Sequence, residues 1–212
     1  MNRLSLGGRG PLSILAVGAH ADDIEIGAGG TILRLLAEHS GSSIQWVVAS
    51  ASSARADEAR ASAAAFSRRA SRADTLVADL PDGRLPSIAT EFKDILESIK
   101  EQPADLILAP HRRDAHQDHR LVAKTVWQTF RDHLIVEYEI PKYDGDLGQP
   151  NLYVDLDEAT ANEKVALLME GFPSQRERRW WSASTFQAIL LLRGIEAATT
   201  YAEGFHCRKV VL

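Results

Sequence analysis

Two short stretches concentrate the side chains that can bind a metal or move a proton. The first is Ala19-His20-Ala21-Asp22-Asp23, followed by Gly27, Gly29 and Gly30. The second is His116-Gln117-Asp118-His119, preceded by His111 and by Arg112-Arg113-Asp114. His20, Asp23 and His119 supply two nitrogens and one carboxylate, the donor set of a catalytic zinc site with an open position. A water on such an ion loses its proton near pH ~7. Asp22 and Asp23 are neighbours, so their side chains are not expected to share a role. With Asp23 on the metal, Asp22 is free to take the proton of the water. His116 precedes His119 by three residues, a spacing that puts both on one face of a starting helix. There it can stabilise a developing oxyanion or protonate a leaving amine. Asp118 can fix the tautomer of a histidine from behind the metal. Zinc is the expected ion, with ferrous iron or another divalent ion as the alternative.

The elements around these stretches predict how they meet. An apolar run over residues 12–17 leads into the first stretch, and an apolar helical pattern over 31–37 leads out. Short apolar runs predict strands over residues 13–18, 43–49, 74–78 and 105–109. Helical patterns predict helices over 31–39, 56–70, 88–100 and 121–130. Pro81-Asp82-Gly83 is turn chemistry. Strands alternating with helices mean right-handed crossovers and a parallel sheet. In the doubly wound order 3-2-1-4 the first and fourth strands are neighbours, and ligands bind beyond their carboxyl ends. The two charged stretches follow those two strands, so topology predicts that they face each other. Beyond residue 132, strands are expected over 134–138 and 152–156, helices over 159–169 and 183–192, and a closing strand over 208–212. The expected fold is a single α/β, Rossmann-like domain over 1–212. Its mostly parallel sheet is flanked by helices, with the metal site at the C-terminal ends of strands one and four. The glycines after Asp23 do not fit the dinucleotide pattern G-x-G-x-x-G. They are read as allowing a tight turn and close helix packing.

Composition narrows the partners. The chain has 212 residues and a formal net charge of -5, which argues against a general nucleic-acid binder while leaving room for a local basic patch. Cys207 is the only cysteine, so a thiolate zinc cage is excluded, and Cys207 reads as a small buried hydrophobe. No apolar run approaches the ~20 residues that span a bilayer. Residues 1–11 show no signal-peptide h-region. A cytoplasmic location is the expectation.

Ala19-His-Ala-Asp-Asp23 with Gly27-Ala-Gly-Gly30, and His116-Gln-Asp-His119 later, resembles the PIG-L/LmbE-like family of zinc-dependent de-N-acetylases. That family usually has Ala-His-Pro-Asp-Asp first, so Ala21 stands where proline is usual. Arg55-x-x-Glu58-x-Arg60, residues 80–85, residues 164–175 and residues 193–205 are similar to its other segments. The resemblance implies zinc on His20, Asp23 and His119, Asp22 as general base and His116 as the charged or acid partner. It also implies substrate contacts from Arg55 and Asp82. Arg112 falls in a stretch that varies between members and often touches substrate. The implied substrate is an N-acetylated amino sugar, glycoside or related small molecule, with a different amide, such as an acylated natural-product intermediate, as the alternative within the class. An open, polar rim is expected from residues 142–149 and the loops around Asp82 and Arg112. Two other classes compete. One is a Rossmann-like binding module, which would need neither Asp22 nor His116. The other is a scaffold using residues 175–181, which otherwise read as a helix-packing edge or a homo-oligomer contact.

Overall fold

The first strand, β1 (Ser13–His20), is buried on both faces. Ile14 and Ala16 join one core, while Leu15, Val17 and Ala19 join the other. Alternate side chains of a strand point to opposite faces. A strand apolar at every position therefore belongs in the middle of a sheet that is covered on both sides. The next strand, β2 (Ser43–Ser50), repeats this, with Ile44, Trp46 and Val48 on one side and Val47 and Ala49 on the other. The computed structural model describes residues 10–211. It completes the sheet with β3 (Arg72–Val77), β4 (Leu106–Pro110), β5 (Ile135–Tyr138), β6 (Leu152–Leu156) and β7 (Tyr201–Cys207). The order is β3-β2-β1-β4-β5-β7-β6. Pairing is parallel from β3 to β5, and β7 lies antiparallel between β5 and β6.

Among the described residues, one face is covered by α1 (Asp23–Glu38), α2 (Ser53–Phe66), α5 (Glu158–Gly171) and α6 (Ala183–Ala197). The other face carries α3 (Ala89–Ile99) and α4 (Gln117–Thr129), which bury Phe92, Leu96, Val122 and Val126. This is the α/β class and the 3-2-1-4 core that the sequence predicts, with an antiparallel edge added. Among the described residues no helix is long and apolar enough to cross a membrane.

Several boundaries differ from expectation, each for a physical reason. The first helix starts at Asp23, not near Thr31, because the glycines form part of the helix rather than a turn. A Cβ on Gly27 would overlap the ring of Tyr138, and one on Gly30 would overlap Leu156 Cδ1. Packing of neighbouring elements, not backbone freedom, selects glycine there. The α4 helix starts at Gln117 rather than Leu121, since His116 caps it: its Nδ1 accepts a hydrogen bond from Asp118 N at 3.3 Å. The α6 helix continues past residue 192 to Ala197. The closing strand is Tyr201–Cys207, not 208–212. Ala202 and Phe205 are fully buried in it, whereas Val211 is 97% exposed. Cys207 ends that strand half-buried, not in the core. Residues 1–9, read above for a leader, and Leu212 lie outside the described residues.

A buried ion pair braces α1 in its middle. Lys164 Nζ donates to Ile26 O at 2.6 Å and to Glu203 Oε1 at 2.5 Å. Glu203 in turn accepts from Gly30 N at 2.8 Å and from Thr31 N at 2.7 Å. The pair thus ties the helix that begins at the first motif to α5 and β7.

The packing at Gly27 yields a test of the fold. Alanine is favoured over glycine in a helix interior by ~1 kcal/mol. Overpacking a tight core costs roughly 1–3 kcal/mol. Tyr138 is fully buried and its hydroxyl is held by Val17 O at 2.7 Å, so the ring has nowhere to retreat. With the added Cβ overlapping Tyr138 Cδ2, the overpacking falls at the top of that range, so Gly27→Ala is expected to destabilise the protein by about 2 kcal/mol net in urea unfolding. A variant as stable as the parent would show that the helix and Tyr138 separate easily.

Candidate active site

The two motifs sit where the topology predicts, at the carboxyl ends of neighbouring strands β1 and β4. His20 is the last residue of β1 and Asp23 the first of α1. Between them the chain turns through Asp22, whose φ is +97°. A non-glycine residue in that region is uncommon and marks a backbone held by its surroundings. Part of the hold is visible. Asp23 Oδ2 accepts from Ala19 N at 2.9 Å and His20 N at 2.8 Å. Arg55, from α2, donates through Nη2 to Ala21 O at 2.6 Å and to Asp22 Oδ2 at 3.2 Å.

Three donor atoms converge. His20 Nδ1 lies 3.2 Å from His119 Nε2. Asp23 Oδ2 lies 3.6 Å from that His20 nitrogen and 3.4 Å from the His119 nitrogen. Ligands bound at ~2.1 Å around a tetrahedral ion stand ~3.4 Å apart, so these separations suit a metal. The opposite nitrogen of each ring faces a buried carboxylate. His20 Nε2 lies 3.2 Å from Asp118 Oδ2, and His119 Nδ1 lies 3.0 Å from Asp114 Oδ2. Carboxylates behind metal-binding histidines orient the ring and select its tautomer. His116 joins His20 and His119 in a set whose nitrogens lie within 4.8 Å of one another, and His20, Asp82 and Asp118 form a second such set. Both are groups able to hold an ion.

Electrostatics follow from burial and pairing. Burial opposes charge on His20, but hydrogen bonds to Asp118, Asp23 and Asp82 outweigh it and push the imidazole up to about 12. Burial likewise opposes charge on His119, and Asp23 and Asp114 push it up to about 9. Asp23 is held well below the usual carboxylate range, the two histidines overcoming its burial. Asp22 goes the other way: burial pushes it up to about 8, against the pull of Arg55. Adjacent aspartates thus sit in opposite environments. His116 is held below the ordinary imidazole value by burial and by the neighbouring histidines. Its Nδ1 is taken up as an acceptor in the cap, so its proton resides on Nε2.

The structure brings His20, Asp22, Asp23, Asp118 and His119 together in buried positions, with His116 half-buried beside them. Asp82 is at the edge of the cluster, its side chain 64% exposed and one oxygen 3.1 Å from His20 Nε2. Arg55 contacts the cluster through Asp22. Arg112 is drawn instead toward Glu137, 3.8 Å from its Nε. His111 also turns to Glu137, at 2.7 Å, and stacks on His206. Asp114 is the residue that sequence reasoning passed over, treating it as part of a variable loop. It accepts from His116 N at 2.7 Å while its other oxygen meets His119 and the Lys142 ammonium at 2.9 Å. The signal was an Asp-x-His spacing at a helix start, where aspartate bonds the backbone two residues on.

The structural class is a Rossmann-like α/β domain whose switch point gathers histidines and aspartates able to hold a metal ion. Residues 15–130 match the PIG-L family, described as GlcNAc-PI de-N-acetylase, and the chain belongs to this family. Solved structures share the fold over nearly the whole chain. The conserved protein TT1542 from Thermus thermophilus is 20% identical, with a TM-score of 0.76 over 95% of this chain and 96% of that one. GalB, the 4-carboxy-2-hydroxymuconate hydratase from Pseudomonas putida, is 18% identical, with a TM-score of 0.72 over 95% and 98%. N,N'-diacetylchitobiose deacetylase from Pyrococcus horikoshii is 19% identical, with a TM-score of 0.62 over 92% and 82%. A hydratase and a deacetylase on one fold show that the fold alone does not choose the chemistry.

Proposed function

We propose that this chain is a metal-dependent hydrolase that removes an N-acetyl group from an amino sugar, glycoside or related small molecule. The observation that carries this reading is the convergence of His20 Nδ1, Asp23 Oδ2 and His119 Nε2 within 3.2–3.6 Å of one another. Those three atoms would hold the ion, zinc in the first instance. Such an ion, when bound, supplies a Lewis acid for the amide carbonyl and acidifies a water. Asp118 and Asp114 lie behind the two histidines, at 3.2 and 3.0 Å from their far nitrogens.

A cation held beside Asp22 would favour its ionised form against the effect of burial, and in that form it takes the proton of the attacking water while Arg55 keeps its carboxylate aimed. His116 offers its Nε2–H to the oxygen on which charge develops. Collapse then breaks the C–N bond, and the departing amine takes up the proton that Asp22 received from the water. Acetate and a free amine are the products. Arg55 and Asp82 are assigned to substrate hydroxyls, and Arg112 to a part of the substrate beyond the acetylated amine.

Family membership favours an amide over water addition to a double bond, for which the same groups would also serve. A screen of N-acetylated sugars, glycosides and other acylated amines, with zinc or ferrous iron added back, tests the reading. Release of free amine is expected from at least one compound. A metal-loaded protein that cleaves no amide would leave a binding module in its place.

A further inference from the structure

An open groove of about 820 Å³ runs along the outer face of α4, and cations line it. Arg120, Lys124 and Arg131 come from that helix or its end, Arg112 from the loop after β4, and Arg208 and Lys209 from the end of β7. In sequence these residues are scattered, so only the fold assembles them. The chain as a whole has a formal net charge of -5. Among the described residues, six cations and no carboxylate in one lining run against the average composition.

Arg112 lies 3.8 Å from Glu137, but among the described residues the hydrogen bonds of the others leave their charge uncompensated. Arg120 Nη1 donates to the carbonyls of Asp114 and Ala115. Lys209 Nζ donates to Arg131 O at 2.6 Å, and Arg131 Nε donates to Gln128 O at 3.1 Å. Carbonyl contacts position a cation without neutralising it. The nearby carboxylate of Glu137 is already engaged by His111, by Arg112 N and by Trp127 Nε1. Like charges gathered at this density repel one another, and a multivalent anion relieves that repulsion.

We propose that this groove binds a compact, soluble anion carrying two or more phosphate groups. Three observations favour that ligand over a nucleic-acid strand. The volume lies in the range of small-molecule sites, ~300–1,000 Å³. From Arg120 to its end at Thr129 the helix advances by only ~14 Å, the reach of a short chain of phosphates rather than of a long strand. Trp127 is the aromatic ring of the groove, but Arg208 and Lys209 stand over it, at 5.3 Å and 5.8 Å from its centre. The ring therefore steadies two cations and is not an open platform for stacked bases. Guanidinium groups suit phosphate oxygens through paired N–H donors.

The test uses tripolyphosphate as the probe, with titration calorimetry for affinity and NMR for location. The chain has four tryptophans, and Trp127→Phe identifies the Trp127 indole signal. Binding is expected to shift that signal, to weaken as salt rises, and to persist in His119→Ala, which separates it from chelation at the metal cluster. Lys124→Glu combined with Arg208→Glu is expected to weaken binding at least tenfold while leaving metal content unchanged. Absence of binding, or undiminished binding in the double variant, would overturn the proposal. So would binding of single-stranded RNA without binding of tripolyphosphate.

Discussion

Asp22→Asn is expected to keep the fold and the metal and to lose amine release by ~10²–10⁴-fold, the usual worth of a general base. The substitution isolates the proton-accepting role for three reasons. Asparagine tolerates a positive φ about as well as aspartate, so the turn at +97° should be undisturbed. Its amide oxygen can still accept from Arg55 Nη2, which holds the parent carboxylate at 3.2 Å. The residue is also separate from the three converging donor atoms, which belong to His20, Asp23 and His119. Only the ability to take a proton disappears. The measurement is amine release and metal content on the same preparations. Activity within a few-fold of the parent would show that another group is the base.

His119→Ala is expected to lose most of the bound metal and, with it, all measurable hydrolysis. His119 supplies one of the three donor atoms, and its ring fills the space between Asp23 and Asp114. Asp23→Asn should follow, since Oδ2 faces both histidines and also receives two backbone N–H groups. A neutral amide there removes the charge that favours a cation. Asp114→Asn should be milder, weakening metal affinity by ~10–100-fold, as outer-shell partners of metal-binding histidines typically do. Competition against a chelating dye gives the three affinities. Full metal occupancy in His119→Ala would remove that residue from the ligand set.

The sheet was legible because β1, β2 and β4 are short apolar runs that can only be buried on both faces. Once they alternate with helices, strand order follows, and so does the meeting of the two motifs. Helix starts were less legible. Gly27, Gly29 and Gly30 look like a turn because the residues that require them, Tyr138, Phe66 and Leu156, are distant in sequence. His116 as a cap was hidden because caps are usually Ser, Thr, Asp or Asn. Asp114 was overlooked for a related reason: its two partners, His119 and Lys142, are chosen by the fold. Val210 and Val211 suggested a strand by composition, but the sheet takes Tyr201–Cys207 and leaves Arg208 and Lys209 beside α4.

The position of a single bound ion tests the proposed centre most directly. Crystals of the zinc-loaded protein, measured on both sides of the zinc absorption edge, would locate it by anomalous scattering. One strong peak is expected at ~2.0–2.2 Å from His20 Nδ1, Asp23 Oδ2 and His119 Nε2. A peak at the other cluster, between His20 Nε2, Asp82 and Asp118, would contradict that assignment, as would a fully loaded protein with no peak between the two motifs.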